Sequence, residues 1–297
     1  MTEEASKLLV FGSVNQDIVL RVSEFPEPGE TVTALTVSRA TGGKGANQAA
    51  AAALQGTVTR MIGAIGDDSG GAEARASLES AGVDTAQLWV CPDVGTGTAY
   101  INVRTDGENT IVVESGANAE LSGQTPGDDV FAGAGWLLLS LEVPEGEALR
   151  FAARAKGRGV KVALNASPTL AEPLTEGLVD LLIVNEVEIS GLAGFGWEQT
   201  ADLATAVGVD SVVVTRGGAG VHLYRRGQPV LHVPAEPAKV VDTTGCGDAF
   251  AGVMVAALAR GAGYQDALSQ ATGFAGRAAE HPGAMAAYFQ ISPTAGQ

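Results

Sequence analysis

The sequence predicts an α/β fold with a largely parallel central sheet. Short β-branched or apolar runs alternate with longer Ala-rich segments of helical character, the connections between them are short, and no Pro/Ser-rich linker divides the chain. The 297 residues are therefore read as one main domain spanning 1–297. Taken in order, the apolar run Lys7–Gly12 is the first strand, and Lys44–Gln55, opened by a glycine turn and filled with alanine, is the first helix of the layer around it. Val58–Ile65 follows as a strand and Gly70–Ala81 as a helix. Trp136–Leu141, Val160–Leu164, Leu181–Val184 and Ser211–Thr215 are further strand-length apolar runs, with helices expected at Glu145–Lys156 and Gln199–Val207. Asp248–Ala259 and Gln265–Ala279 close the pattern as helices. Past His281 periodicity fades, and the tail Ser292–Gln297 is expected to fray.

Two segments interrupt the alternation. Asp17–Val22 and Thr31–Ser38 read as strands on either side of the turn-rich Glu27-Pro28-Gly29-Glu30, and Gly97–Arg104 with Asn109–Glu114 reads as a hairpin about Asp106-Gly107. Alternation such as Ile18, Leu20, Val22 marks half-buried strands. They are expected to form a small β-sheet lid inserted at about 15–40 and 96–115, with ordinary edge strands of the main sheet as the alternative.

Composition removes several function classes. Lys plus Arg total 18 against 34 Asp plus Glu, a net charge of −16, and no basic cluster occurs, which argues against a nucleic-acid binder or a polybasic membrane-surface protein. No apolar stretch approaches the roughly 18 residues of a membrane span, and the acidic N-terminus lacks signal-peptide character, so a cytoplasmic protein is expected. Cys91 and Cys246 show no CxxC spacing, and His222, His232 and His281 are far apart, so no zinc site or disulfide framework is indicated. The 40 glycines are nearly twice the usual share and imply that backbone geometry is being specified at particular turns.

Five polar clusters and the single Glu142 stand at apparent strand ends. In Asp242-Thr243-Thr244-Gly245-Cys246-Gly247-Asp248 a glycine-rich turn runs into an apolar helix, whose unpaired N–H groups and dipole suit an anion. Asp248 is open to two readings there, a helix cap or an acceptor of a substrate hydroxyl proton. Gly42-Gly43-Lys44-Gly45-Ala46-Asn47-Gln48 lacks Walker A spacing and is either a packing turn or a hydroxyl-binding site. Gly12-Ser13-Val14-Asn15-Gln16-Asp17 follows the first strand, where α/β proteins place ligands, though Asx side chains there also serve plain turns. Glu142 and Asn185-Glu186-Val187-Glu188 end later strands, where either Glu is a site carboxylate or merely the start of a solvated helix, and Thr215-Arg216-Gly217-Gly218-Ala219-Gly220 is a loop suited to a nucleotide or to a plain turn.

The motifs GGKGANQAAAAA and DTTGCGDAFAG, with GSVNQD and PEPGETV before them, resemble the PfkB-type carbohydrate kinase superfamily, in particular its ribokinase branch, from about Leu8 to Gly283. The resemblance implies a three-layer, ribokinase-like α/β/α sandwich with a β-sheet lid over the sugar, and a homodimer formed through that lid. It implies ATP-dependent phosphorylation of D-ribose at the 5-hydroxyl, with Asp248 as general base and the N–H groups of Gly245, Cys246 and Gly247 as the anion hole. Asn15, Asp17, Gly43, Lys44, Asn47 and Glu142 match the sugar-contacting positions, and Asn185, Thr215, Gly217, Gly220 and Gly247 the nucleotide side. Glu188 matches the N-x-x-E acid that organises Mg²⁺; Asp242, Thr244 and carbonyls near Ala278, His281 and Gly283 match a K⁺ site. Cys246 stands where relatives usually have Ala, Thr272-Gly273 where many have His or Asn, and Met285-Ala286-Ala287-Tyr288 where Ser and Pro are common. Kinases for 2-deoxyribose, fructose, adenosine or pseudouridine are the alternatives within the superfamily, and a non-catalytic sugar or nucleotide sensor the alternative outside enzymes.

Overall fold

The computed structural model describes residues 6–123, 125–171, 173–193, 197 and 202–291. In chain order the elements are β1 (Lys7–Phe11), β2 (Asn15–Val22), β3 (Thr36–Gly42), α1 (Lys44–Leu54), β4 (Thr59–Gly66), α2 (Ser69–Ser80), β5 (Asp84–Cys91), β6 (Gly97–Arg104) and β7 (Asn109–Glu114). There follow β8 (Ala134–Ser140), α3 (Glu145–Gly157), β9 (Lys161–Asn165), β10 (Leu181–Asn185), α4 (Glu186–Ala193), α5 (Leu203–Ala206), β11 (Ser211–Thr215), β12 (Val221–Arg225) and β13 (Leu231–Val233). The last described elements are α6 (Cys246–Ala259), α7 (Tyr264–Ala278) and α8 (Met285–Tyr288).

The main sheet has the order β13-β12-β11-β10-β9-β8-β1-β4-β5. From β11 to β5 every pairing is parallel, and only β12 and β13 are antiparallel. Strand side chains alternate between two cores. Leu8, Val10, Leu138, Ile183 and Val213 pack on one face with α1, α6 and α7, while Leu9, Phe11, Leu139, Val184 and Val214 pack on the other with α3. A parallel sheet buried on both faces needs this near-continuous apolar sequence, and a three-layer α/β/α sandwich results. β1 sits between β4 and β8, so the chain winds outward from it in both directions. The loops after β1 and β8 therefore meet at the switch point, where a crevice opens beyond the strand ends.

The second sheet, β3-β2-β6-β7, is built from the strands that the sequence assigns to a lid. Its second strand lies at Thr36–Gly42, whereas the sequence places it at Thr31–Ser38. Pairing starts at Asn15↔Gly42, next to the glycine turn into α1, and reaches only Arg21↔Thr36, because β2 ends at Val22 and leaves Thr31–Ala34 no partner. The helix expected at Gln199–Val207 is shorter in its described part: α5 starts after Asp202, whose carboxylate accepts the Thr205 amide at 3.3 Å as a cap. The tail Ser292–Gln297 lies outside the described residues, as do residues 199–201.

Helix α6 is apolar all round and buried along nearly its whole length. Gly252 is where α1 comes closest to it: a Cβ at this position would sit 2.3 Å from the Gln48 carbonyl oxygen. This approach brings the polar start of α1 against the first turn of α6. Among the described residues no helix is long and apolar enough to cross a membrane.

Candidate active site

The five polar clusters converge at the strand ends. Asp248 is at the third position of α6, 7 % exposed, yet it does not cap the helix. Its Oδ2 accepts from Asn47 Nδ2 at 3.0 Å and its Oδ1 from Gln48 Nε2 at 3.3 Å. The helix is instead preceded by Gly245, in the left-handed region at φ +73°, with no side-chain cap. A Cβ there would also come within 2.5 Å of Ala284 Cβ, so glycine is required twice over. The carbonyl of Gly245 is fixed by the buried Tyr288 hydroxyl, which donates to it at 2.6 Å.

The amide of Cys246 donates to the Thr243 carbonyl at 3.2 Å, while those of Gly245 and Gly247 meet no protein acceptor among the described residues. Free N–H groups at a helix N-terminus are suited to an anion. Burial, reinforced by the charges of Asp242 and Asp248, pushes the Cys246 thiol up to about 11, so it stays neutral beside this turn. Burial raises the Asp248 carboxyl above its usual range against the opposing pull of Lys44 and the Asn47 hydrogen bond.

At the switch point, Glu142 joins the loops after β1 and β8. Its Oε2 accepts from Ser13 Oγ at 2.7 Å and from the Lys44 amide at 3.1 Å. Asn118, in the short 3-10 helix Gly116–Leu121, accepts the Val14 amide at 2.9 Å and donates to Asn15 Oδ1 at 2.7 Å, which orients the Asn15 side chain. Asp17 lies within electrostatic reach of Glu142 and Asp248, and burial followed by these two charges raises its carboxyl to about 7.

Three clefts run through this region. A polar cleft of about 160 Å³ is lined by Lys44, Asn165, Asn185, Glu188, Gly247 and Asp248, among others. On the lid side it adjoins one of about 620 Å³ that shares Lys44 and Ser167 and includes Asn15, Val113, Asn118 and Glu142. On the other side a largely apolar cleft of about 420 Å³ shares Thr215 and Gly247 and runs past Gly217, Gly220, Phe250 and Thr272. Asp17, Gly43 and Asn47 line none of the three.

Asn185 and Glu188 form a reciprocal cap of α4: the Asn185 amide donates to Glu188 Oε2 and the Glu188 amide to Asn185 Oδ1, both at 2.8 Å. They start the helix and line the polar cleft at once. Arg216, ahead of the glycine loop, pairs with Glu186 at 2.8 Å and ties that loop to α4.

Asp242 Oδ1 accepts from the Thr244 amide and hydroxyl at 2.9 and 2.7 Å, and Oδ2 from the Gly283 amide at 2.8 Å. Burial works to raise this carboxyl, but these hydrogen bonds outweigh it and hold it below the ordinary range. Gly283 is thus brought to Asp242 and Thr244, with Ala278 and His281 linked by a 3.1 Å backbone bond next to them.

A buried carboxylate in the first turn of α6 thus stands in the polar cleft between the lid-side cleft and the largely apolar one. The sequence profile of the pfkB family carbohydrate kinases matches residues 5–290. The chain belongs to this family. It is 37 % identical to a ribokinase from Haemophilus influenzae over 271 residues, covering 88 % of each chain, and 33 % identical to the ribokinase of Arabidopsis thaliana over 296 residues, 95 % of this chain and 78 % of that one. Among solved structures, it is similar to Arabidopsis thaliana ribokinase complexed with ribose and ATP, with a TM-score of 0.86 at 31 % identity and 96 % of both chains covered. A Cryptococcus neoformans ribokinase in complex with ADP matches with a TM-score of 0.82 at 35 % identity, covering 95 % of this chain and 96 % of that one. The protein is accordingly a carbohydrate kinase with a ribokinase-like fold. Four further residues of its site went unassigned in the sequence: Asn118, Asn165, Gln48 in its contact with Asp248, and Tyr288 under the anion turn.

Proposed function

We propose that this carbohydrate kinase transfers the γ-phosphoryl group of ATP to the 5-hydroxyl of D-ribose. The observation that carries the reading is the Asp248 carboxylate, buried and held by Asn47 and Gln48, in the polar cleft that links the lid-side and apolar clefts. Ribose lies under the lid against Asn15, Asp17, Gly43, Lys44, Asn47 and Glu142. The nucleotide lies along Thr215, Gly217 and Gly220 with its phosphates toward Gly247. Asp248 takes the hydroxyl proton, the alkoxide attacks the γ-phosphorus in line, and ADP leaves. The amides of Gly245 and Gly247 receive the charge that develops on the equatorial oxygens, with that of Cys246 joining if it leaves Thr243. Lys44, shared by the polar and lid-side clefts, is a cation at the junction where that charge passes.

Glu188 keeps Oε1 free of the cap and, with Asn185, fits Mg²⁺ and its waters, the metal supplying charge neutralisation at the phosphates. The oxygen-rich set around Asp242, Thr244, Ala278, His281 and Gly283 fits K⁺, a cation that helps fix the anion turn.

A panel of ribose, 2-deoxyribose, fructose, adenosine and pseudouridine with Mg²⁺ and ATP, in K⁺ and in Na⁺ buffer, tests the reading. Ribose should give the highest kcat/KM, and the rate should fall when Na⁺ replaces K⁺. A different preferred acceptor overturns the substrate assignment, and equal rates in the two buffers overturn the cation set. 2-Deoxyribose is the competing acceptor of interest, because a deoxyribokinase of Salmonella typhimurium is 30 % identical over 96 % of both chains. Asp17 can accept from two vicinal hydroxyls at once, which 2-deoxyribose cannot offer.

The lid is also the proposed dimer surface. Register puts Ile18, Tyr100 and Val112 in one row, with Leu20 and Val37 in the next, on the face that does not carry Asp17. Tyr100, Val37 and Val112 are 41 %, 51 % and 65 % exposed, an apolar patch of the kind that marks an interface. Light scattering should find two copies per particle, and Tyr100→Glu with Val112→Glu should release monomers. A monomeric parent protein contradicts the assignment.

A further inference from the structure

We propose that Gln48 is a positioning residue for the catalytic base, anchoring the Asp248 carboxylate through Asn165 to the backbone of β10. This rests on the reading of Asp248 as the base.

Both hydrogens of the Gln48 amide are used. Nε2 donates to Asn165 Oδ1 at 2.9 Å and to Asp248 Oδ1 at 3.3 Å, and Asn165 Nδ2 donates in turn to the Ile183 carbonyl at 3.2 Å. The relay runs from α6 through α1 and the end of β9 to β10, all four of them elements of regular secondary structure. Both neighbours of Nε2 are acceptors, so the amide has one workable orientation. Asn47 holds the other carboxylate oxygen at 3.0 Å. With one amide on each oxygen, rotation of the carboxylate about its Cβ–Cγ bond is fixed, and each oxygen keeps a lone pair for the substrate proton.

Packing does not account for an amide at this place. Gln48 is 0 % exposed, so it reaches neither sugar nor nucleotide. Its Oε1 is buried with no donor among the described residues. An orphaned buried acceptor destabilises a fold, and an unbranched apolar side chain of the same length would avoid that penalty. The two donated bonds are what the amide contributes, and one of them goes to the base. Losing a donor to the ionised form of a carboxylate leaves it less oriented and easier to protonate.

The test compares Gln48→Met, which keeps length and removes the amide, with Gln48→Glu, which keeps shape and replaces the donor by a second carboxyl. For Gln48→Met kcat should fall about 10- to 100-fold, from loss of a hydrogen bond to a charged group. The KM for ribose should stay within about twofold, and the acid limb of the kcat–pH profile should move to higher pH. Gln48→Glu should show a larger displacement of the same limb, because two adjoining carboxylates do not both ionise readily. A folded Gln48→Met with parental kcat and acid limb, or with its loss confined to KM, overturns the proposal. If Gln48→Met does not fold, Gln48→Glu decides on the same two readouts. Asp248→Asn run in parallel separates the layers: if it keeps turnover, the base reading fails; if it is inactive while the Gln48 variants behave like the parent, only the positioning role fails.

Discussion

Asp248→Asn is expected to lower kcat by about two to four orders of magnitude, the usual worth of a general base, while ribose still binds. Asparagine keeps the shape but cannot take the hydroxyl proton. It also disturbs the carboxylate's setting, because Asn47 and Gln48 both present donors to this position and an amide has only one oxygen to receive them. In the parent enzyme the ionised carboxylate is the active form, and burial holds its pKa above the ordinary carboxylate range. Turnover should therefore decline as pH falls through a value higher than that of a solvated aspartate. Coupled-assay rates with ribose calorimetry on the same sample check both halves. Near-parental turnover in Asp248→Asn would falsify the base assignment.

Asp17→Asn should separate binding from stability. The loss of a charged acceptor for two sugar hydroxyls is expected to weaken ribose binding on the order of 100-fold, since hydrogen bonds to charged groups contribute about 1.5–3 kcal/mol each. Stability should move the other way. The folded protein raises this carboxyl from 3.8 to about 7, chiefly by burial and then by Glu142 and Asp248, so the unfolded chain gives up its proton first. Stability of the parent thus falls as pH rises from about 4 to 7 and levels above it, with a cost on the order of 4 kcal/mol if this group acted alone. Asp17→Asn removes that cost, so its gain in Tm should be small near pH 4 and largest at pH 8. Unchanged ribose affinity, or a Tm difference that shrinks as pH rises, contradicts this role.

Both predictions concern residues that stand out in the sequence, at the ends of motifs with a plain chemical purpose. The parallel core was legible for the same reason: strands such as Leu137–Leu139 and Val212–Val214 are apolar on both faces because they are covered on both. What escaped follows from pairing. β5 lacks clean alternation because its register against β4 shifts between Arg60 and Ile62, so Thr85 and Leu88 are buried three residues apart. β12 and β13 are short antiparallel additions at the edge, and β3 starts where β2 supplies a partner. Asp248 was open to a cap or a base, and it was the approach of α1 at Gly252 that removed the cap reading. Asn118 and Asn165 are single polar residues in unremarkable stretches. Only the winding about β1 brings them to the strand ends, where one orients Asn15 and the other anchors Gln48.

Phosphorus NMR of the product formed from ribose and Mg²⁺–ATP tests the central claim most directly. The account predicts loss of the γ-phosphate signal, equimolar ADP, and a phosphomonoester split by the two C5 protons of ribose 5-phosphate. ATP left unconsumed, inorganic phosphate as the only product, or a phosphate on another hydroxyl would contradict it.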